Sequence, residues 1–240
     1  MTYRGLPMPA RVAIALAIGL AAGAILALTL PAAVAGIASL ALSTPEKLPW
    51  IGSRTTAFIA YLTIAGSVVY GLLLSTKLLD AIAHRPVSFA LHQELAAIGL
   101  GLSGVHGALL GLDQTIHFSL LDLLVPFASP YRPIAVGLGQ LALYATVIVT
   151  VSFYARRRIG QRTWRALHYL TFLAFVGATA HGILAGTDTA TPWAFAIYAG
   201  SAMAVVFLTT YRIVLSVAAR RERIAAAGSA PAAVGLPRPA

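Results

Sequence analysis

Four histidines inside two apolar segments are the residues best placed to do chemistry. His92 and His106 lie 14 residues apart, and His168 and His181 lie 13 residues apart. On an α-helix rising about 1.5 Å per residue, each interval separates the two imidazoles by roughly 20 Å. The hydrocarbon core of a bilayer is about 30 Å thick. An ionisable side chain at that depth is costly, so each histidine is a candidate functional residue.

The composition predicts a membrane protein with the lipid bilayer as its solvent. Of 240 residues, 59% are hydrophobic and 10% are charged, and the mean hydropathy is +0.84. A soluble domain of this length could not bury so much apolar surface. The net charge of +10 does not indicate nucleic acid, because the arginines lie at the ends of apolar segments and mark topology.

The apolar segments predict an all-α membrane protein, a bundle of six transmembrane helices. The first, residues 12–42, exceeds one straight crossing of about 20 residues and is divided by Pro31, which predicts a kink. A cleaved signal peptide is the alternative for this segment, although signal h-regions are typically about 7 to 15 residues long. The other predicted spans are residues 55–79, 87–112, 134–154, 164–185 and 193–215.

The Lys and Arg residues predict the orientation of these spans. With the N-terminus in the cytoplasm, fourteen Lys and Arg residues lie inside and three lie outside. This positive-inside bias predicts cytoplasmic termini and a multi-pass protein of the cell (plasma) membrane. The third and fifth spans then run in the same direction. We therefore expect His92 and His168 (the inner pair) at one depth, and His106 and His181 (the outer pair) at another.

Two facing imidazoles without a third ligand suit a planar macrocycle that already supplies four nitrogens. Haem b is the leading candidate. The chain has no cysteine, which excludes covalent c-type haem and cysteine-ligated iron–sulfur or zinc sites. Small residues near His106 and His181 would let a porphyrin pass, although such residues are also common at helix contacts in membranes. They are Gly99, Gly101, Gly104 and Gly107 in the third span and Gly177, Ala178, Ala180 and Gly182 in the fifth.

The two intervals differ in their rotation about the helix. Fourteen residues make about 3.9 turns and restore nearly the same face, whereas thirteen make about 3.6 turns and do not. We therefore expect the fifth span to tilt, twist or contain a π-bulge. Otherwise His168 and His181 do not serve equivalent sites.

The histidine pattern resembles a known family. His92, thirteen residues and His106, followed by His168, twelve residues and His181, resembles the ferric reductase-like transmembrane domain. That family includes the membrane portions of ferric reductases and NADPH oxidases, and is similar to the haem-binding membrane subunit of bacterial methionine sulfoxide reductase. The stretches WRALHYL around His168 and LLVPFASPYRPIAVGLGQLALY before and into the fourth span strengthen the resemblance.

The resemblance implies two b haems that pass electrons from a cytoplasmic flavin or flavoprotein to an acceptor outside. His92 and His168 would ligate the inner haem, and His106 and His181 the outer one. The haem-binding core would cover residues 43–217, between the first transmembrane segment (residues 1–42) and a disordered cytoplasmic tail (residues 218–240). No GxGxxG fingerprint follows a strand, so we expect the donor to be a separate flavoprotein, a diffusible flavin or a quinol.

Basic residues near the span ends are candidate partners for haem propionates, which are anions. Each arginine could equally be an interfacial anchor. The inner candidates are Arg85, Arg162 and Arg165, and the outer candidates are Arg54, Arg132 and Tyr131.

His117 in an outer loop, between Asp113 and Asp122, could bind a metal ion. A solvated loop is the favoured interpretation, because the spacing fixes no coordination geometry.

We therefore predict a transmembrane electron-transfer protein, a ferric reductase-like oxidoreductase subunit. One alternative keeps the haems and makes the chain a quinol-linked cytochrome b membrane anchor. The other is a cofactor-free channel, transporter or scaffold, whose histidines relay protons or bond helices together.

Overall fold

The computed structural model describes residue 39 and residues 45–81, 83–114 and 116–228. All regular structure within these ranges is helical. Two short 3₁₀ helices, Pro45–Lys47 and Leu78–Ala81, flank the first long helix. The α-helices are α1 (Leu48–Thr76), α2 (Arg85–Gly111), α3 (Leu120–Leu124), α4 (Pro133–Ile159), α5 (Gln161–His168), α6 (Leu170–Ala185) and α7 (Pro192–Gly228).

Five helical segments of the described chain are long and apolar enough to cross a membrane. They match the second to sixth predicted spans, whereas the first predicted span, residues 12–42, lies outside the described residues except for position 39. The all-helical, multi-pass membrane class is confirmed for the part that the structure describes. The five segments are Pro45–Thr76, Arg85–Gly111, Pro133–Ile159, Gln161–Ala185 and Pro192–Ala226.

The outward faces of these helices are apolar. Val87 is 64% exposed, and Phe195, Met203 and Phe207 are each 67–68% exposed. In water such a surface would be a large uncovered hydrophobic patch. A bilayer supplies the matching apolar solvent, because its hydrocarbon core is as hydrophobic as these side chains.

Proline and glycine mark several helix boundaries. A proline occupies the first turn of α1, α2 and α4. Backbone N–H groups in the first turn have no acceptor within the helix, so the N–H that proline lacks costs no helical hydrogen bond. Gly160, with φ 82°, ends α4 and precedes α5. Residues other than glycine rarely adopt this combination of positive φ and extended ψ. The chain therefore reverses between the fourth and fifth spans within one residue.

Four segments form a ring, in which extensive contacts join α1 to α2 and α4 to α6, and a few contacts join α2 to α4 and α6 to α1. The final helix, α7, packs against α1 from outside this ring. Between α1, α6 and α7 the Tyr61 hydroxyl bonds Thr179 Oγ1 at 3.1 Å and Ser201 Oγ at 2.6 Å. The ring places α2 and α6, which carry histidines, opposite each other, as in helix bundles with internal cofactors.

Two of the glycines expected near a porphyrin instead pack helices together. A Cβ on Gly99 of α2 would lie 2.6 Å from Ile64 Cγ1 of α1. A Cβ on Gly177 of α6 would lie 3.1 Å from the Ala142 Cβ of α4. Close backbone approach at small residues is how membrane helices gain packing contacts. Both glycines therefore act at helix interfaces.

The last helix is longer than the sequence predicted. Residues 218–228, assigned to a disordered tail, continue α7 as far as Gly228. Alanine and arginine dominate this stretch and have high helix propensity, which explains the extension. Residues 229–240 lie outside the described part of the chain.

Candidate functional site

The structure brings the histidines together in the two pairs that the span directions predict. The ring centroids of His92 and His168 are 6.3 Å apart, and their planes are inclined by 74°. Those of His106 and His181 are 6.1 Å apart, with planes inclined by 70°. The inner and outer pairs thus lie at two levels of the same helical ring.

The fifth span is interrupted immediately after His168, where α5 ends and α6 begins after Tyr169. The Tyr169 N–H donates to Ala166 O at 3.2 Å, and the Phe172 N–H donates to Tyr169 O at 3.1 Å. These i to i+3 bonds form a tightened 3₁₀-type turn, which rotates more per residue than an α-helix. The extra rotation turns His168 toward the face of His181. The expected irregularity is therefore present, as a tightened turn and not as a π-bulge.

Three of the four imidazoles donate Nδ1–H to a backbone carbonyl of a neighbouring helix. The acceptors are Ser67 O for His92 at 2.9 Å, Ser53 O for His106 at 2.9 Å and Ala135 O for His181 at 2.8 Å. A carbonyl oxygen can only accept, so Nδ1 carries the proton in each neutral ring. The lone pair then lies on Nε2. Metal-ligating histidines in proteins are held in this way by a second hydrogen bond.

Two buried serines on α1 repeat the spacing of the α2 histidines. Ser53 and Ser67 are 14 residues apart, as are His92 and His106, and the helices run antiparallel. The Ser53 hydroxyl lies 2.9 Å from His106 Nδ1, and the Ser67 hydroxyl lies 3.1 Å from His92 Nδ1. We call these two contacts the serine–histidine ladder. The sequence analysis missed it, although the equal intervals in adjacent spans were a usable signal.

Two glycines leave the space that the imidazoles occupy. A Cβ on Gly71 would lie 3.0 Å from His92 Cε1, and one on Gly139 would lie 2.6 Å from His181 Nδ1. The sequence analysis did not identify either residue, because both lie on helices without histidines. By contrast, a Cβ on Gly104 or Gly107 would meet no atom within 4 Å.

Each pair borders a cavity. The outer cavity, about 250 Å³, is lined by His106 and His181 together with aromatic residues. At its edge Arg54 forms an ion pair with Asp188, and the Arg54 guanidinium lies 4.2 Å from the centre of the Trp50 ring. The aromatic residues are Trp50, Phe58, Tyr61, Phe118, Tyr131 and Tyr198.

The inner cavity, about 370 Å³, borders His92 and His168. Trp164 lines it and packs against His168, with ring centroids 5.3 Å apart. Arg165 and Arg212 also line this cavity. Arg212 was assigned only to topology in the sequence analysis, since nothing in the sequence shows which face of the last span meets the fifth.

The other arginines predicted to hold propionates lie elsewhere. Arg85 Nε is 3.7 Å from Asp80 Oδ1, and Arg162 is exposed. Arg132 donates from Nη1 to the Leu184 carbonyl at 2.6 Å. None of these three arginines lines the inner or the outer cavity.

The outer loop gathers no metal ligands. Within the described ranges, no group of three or more His, Asp or Glu residues could hold an ion. His117 is exposed, while Asp122 accepts from the Ser119 hydroxyl at 2.6 Å and from the Ser119 N–H at 2.9 Å. These bonds cap α3 and lower the pKa of Asp122. Asp122 therefore serves a helix terminus, as in other capping boxes.

The Arg54–Asp188 pair offers a stability test with a matched control. Both side chains are half-buried, at 34% and 18% exposure. Arg54→Gln leaves a partly buried carboxylate without its partner. We expect a loss between about 1 kcal/mol, typical of exposed pairs, and about 3 kcal/mol, the lower limit for buried ones. Thermal unfolding in detergent measures it.

The control is Arg85→Gln at the Arg85–Asp80 pair, where the side chains are 62% and 35% exposed. It should change stability by less than about 0.5 kcal/mol. Equal losses in the two variants would contradict a structural role for the outer ion pair.

No family model, no curated protein and no solved structure matches the chain. The resemblance to the ferric reductase-like domain therefore depends on the histidine spacing and the flanking motifs alone.

Proposed function

We propose that the chain holds two b-type haems, one within each histidine pair, and that they carry electrons across the membrane. The observation that carries this proposal is that His92, His106 and His181 each make the same kind of hydrogen bond. Each donates Nδ1–H to a backbone carbonyl, which leaves Nε2 as the nitrogen able to ligate a metal. Four imidazoles in apolar surroundings, three of them oriented by such a bond, are a donor set that suits haem iron.

The separation within each pair fits a single metal ion between two rings. A metal–imidazole bond is about 2.0–2.1 Å, and the nitrogen lies about 1.2 Å from its ring centre, so rings on opposite sides of an ion have centres about 6.5 Å apart. The ring centres of the two pairs are 6.3 and 6.1 Å apart in the structure. Because no third carboxylate or imidazole joins either pair in the described chain, a macrocycle that brings its own nitrogens fits better than a bare ion.

The haem supplies an iron that is reversibly reduced by one electron. The two imidazoles of a pair would both bind the iron, which would leave no open position for a substrate. The carbonyls of Ser53, Ser67 and Ala135 hold the rings in orientation and increase the basicity of Nε2. The surrounding apolar helices exclude water. The residues therefore favour outer-sphere electron transfer over oxygen activation at iron.

The direction of transfer is the one that the resemblance implies, and the charge distribution supplies the orientation of the bundle. The last turn of α4 carries Arg156, Arg157 and Arg158, and α5 carries Arg162 and Arg165 together with His168 of the inner pair. Five arginines therefore lie at the end of the bundle nearest the inner pair. By the positive-inside rule this end faces the cytoplasm. A flavin, flavoprotein or quinol would then reduce the inner site, and the outer site would reduce an acceptor outside. We propose a ferric reductase-like oxidoreductase subunit.

The test is the absorption spectrum of the purified protein. We expect a reducible b-type spectrum and about two haems per chain, from the two-pair ligand count. A colourless but well-folded preparation would reject the haem proposal and favour a channel, transporter or scaffold. Comparing reduction by a cytoplasmic flavin reductase with reduction by a quinol separates the electron-transfer subunit from a quinol-linked cytochrome b anchor.

A further inference from the structure

The two cavities differ in their balance of charge. At the outer cavity Arg54 is paired with Asp188. The inner cavity is lined by Arg165 and Arg212 and by no acidic residue. The ion pairs that the described chain forms are Arg54–Asp188 and Arg85–Asp80, so neither inner arginine has a carboxylate partner there. Arg165 is exposed and Arg212 is half-buried. Two cations beside one cavity attract an anion, and the attraction is stronger at the guanidinium that is more shielded from water.

Trp164 adds a third donor at the inner cavity. Its Nε1 is buried and has no hydrogen-bond partner among the described residues. The indole packs against His168 on the same helix and against Phe153, with ring centroids 6.4 Å apart. An indole N–H can only donate, and a buried donor without an acceptor is unfavourable. An acceptor supplied by a ligand would remove this cost.

We propose that the inner cavity has an anion-binding end, in which Trp164 Nε1 and the guanidinium groups of Arg165 and Arg212 bind a carboxylate or a phosphate group. Guanidinium groups form strong, paired hydrogen bonds with both kinds of anion. A carboxylate would come from a propionate of the inner haem, in which case the site rests on the function proposed above. A phosphate would come from a flavin mononucleotide that approaches the same end of the bundle.

Two substitutions distinguish hydrogen bonding and charge at the inner cavity from the packing of the Trp164 ring. Trp164→Phe removes the N–H and keeps a ring against His168. Arg212→Gln removes a charge from a different helix and provides a second test should the first variant fold poorly. The control is Arg162→Gln, because Arg162 lies on the same helix as Arg165 and is exposed like it, but does not line the cavity.

The experiment uses haem-free full-length protein in detergent, in a His106→Ala background so that haemin binds only to the inner pair. Haemin and haemin dimethyl ester, whose propionates are esterified, are titrated by absorbance. Flavin mononucleotide and inorganic phosphate are titrated by calorimetry. For the anion that occupies the site, we expect Trp164→Phe and Arg212→Gln to weaken binding by about tenfold to a hundredfold. Arg162→Gln should bind like the wild type.

The outcomes identify the source of the anion. If haemin binding weakens while binding of the dimethyl ester does not, the anion is a propionate. If haemin binding is unchanged while flavin mononucleotide and phosphate bind more weakly, the anion is a phosphate. Unchanged affinity for all these probes in both variants would overturn the proposal. If the wild type takes up no haemin, the haem proposal fails, whereas the phosphate titrations still test the anion site.

Discussion

Replacing His106 or His181 with alanine is expected to lower the haem content from about two per chain to about one. The centres of the two rings lie 6.1 Å apart, so removing either would leave the proposed outer iron with a single protein ligand. The inner pair has its own helix contacts, through Ser67 and Trp164. It should therefore keep a six-coordinate spectrum. Haem per protein and the reduced absorption spectrum measure both effects.

His117→Ala is the matched control, because His117 is exposed in the loop before α3. It should retain both haems. The reciprocal variants His92→Ala and His168→Ala should deplete the inner haem and leave the outer one. If neither haem is lost from His106→Ala and His181→Ala, the assignment of ligands is wrong. Loss of both haems from a folded variant would show instead that the two sites are not independent.

A single methyl group at Gly139 should have nearly the same effect on the outer site. The added Cβ would lie 2.6 Å from His181 Nδ1, closer than atoms can approach without movement. The same ring donates to Ala135 O, one turn earlier on α4. Gly139→Ala must therefore displace the imidazole and disrupt its orienting hydrogen bond. We expect outer-haem affinity to fall by about tenfold to a hundredfold, as with other changes around metal-bound histidines.

Gly104→Ala provides the comparison, because Gly104 is exposed and lines neither cavity, and a Cβ there meets no atom within 4 Å although His106 is two residues away. Both haems should remain in this variant. Haemin titration of the two variants, each in a His92→Ala background, isolates the outer site. Equal affinity for haemin in the two variants would rule out the placement of His181 against α4.

The pairing of the histidines could be predicted because it depends on little besides helical rise and span direction. His92 and His168, separated by 76 residues in the chain, meet since both lie near the start of spans that run in parallel. The irregularity in the fifth span was also predictable from the 13-residue interval. Its location after His168 was not, because the sequence there contains neither proline nor glycine.

The arginines show what a single sequence leaves open. Arg85, Arg162 and Arg165 all lie near the predicted depth of the inner pair, yet only Arg165 lines the inner cavity. Which side of a helix meets the cavity depends on helix rotation, and rotation is set by packing against neighbouring helices. The contribution of Arg212 from α7 depends on the same packing. Gly71 and Gly139 could not be found for this reason either.

The serine–histidine ladder also fixes a distance. Two contacts 14 residues apart tie α1 to α2 over about 21 Å of helical rise, and they prevent one helix from sliding along the other without breaking both. The rate of electron tunnelling falls steeply with separation. If the two histidine pairs hold haems as proposed, the 14-residue rise of α2 would set the interval between them, and the ladder would keep α1 in register with α2. Changes in bilayer thickness should then leave the rate of transfer between the haems unaltered.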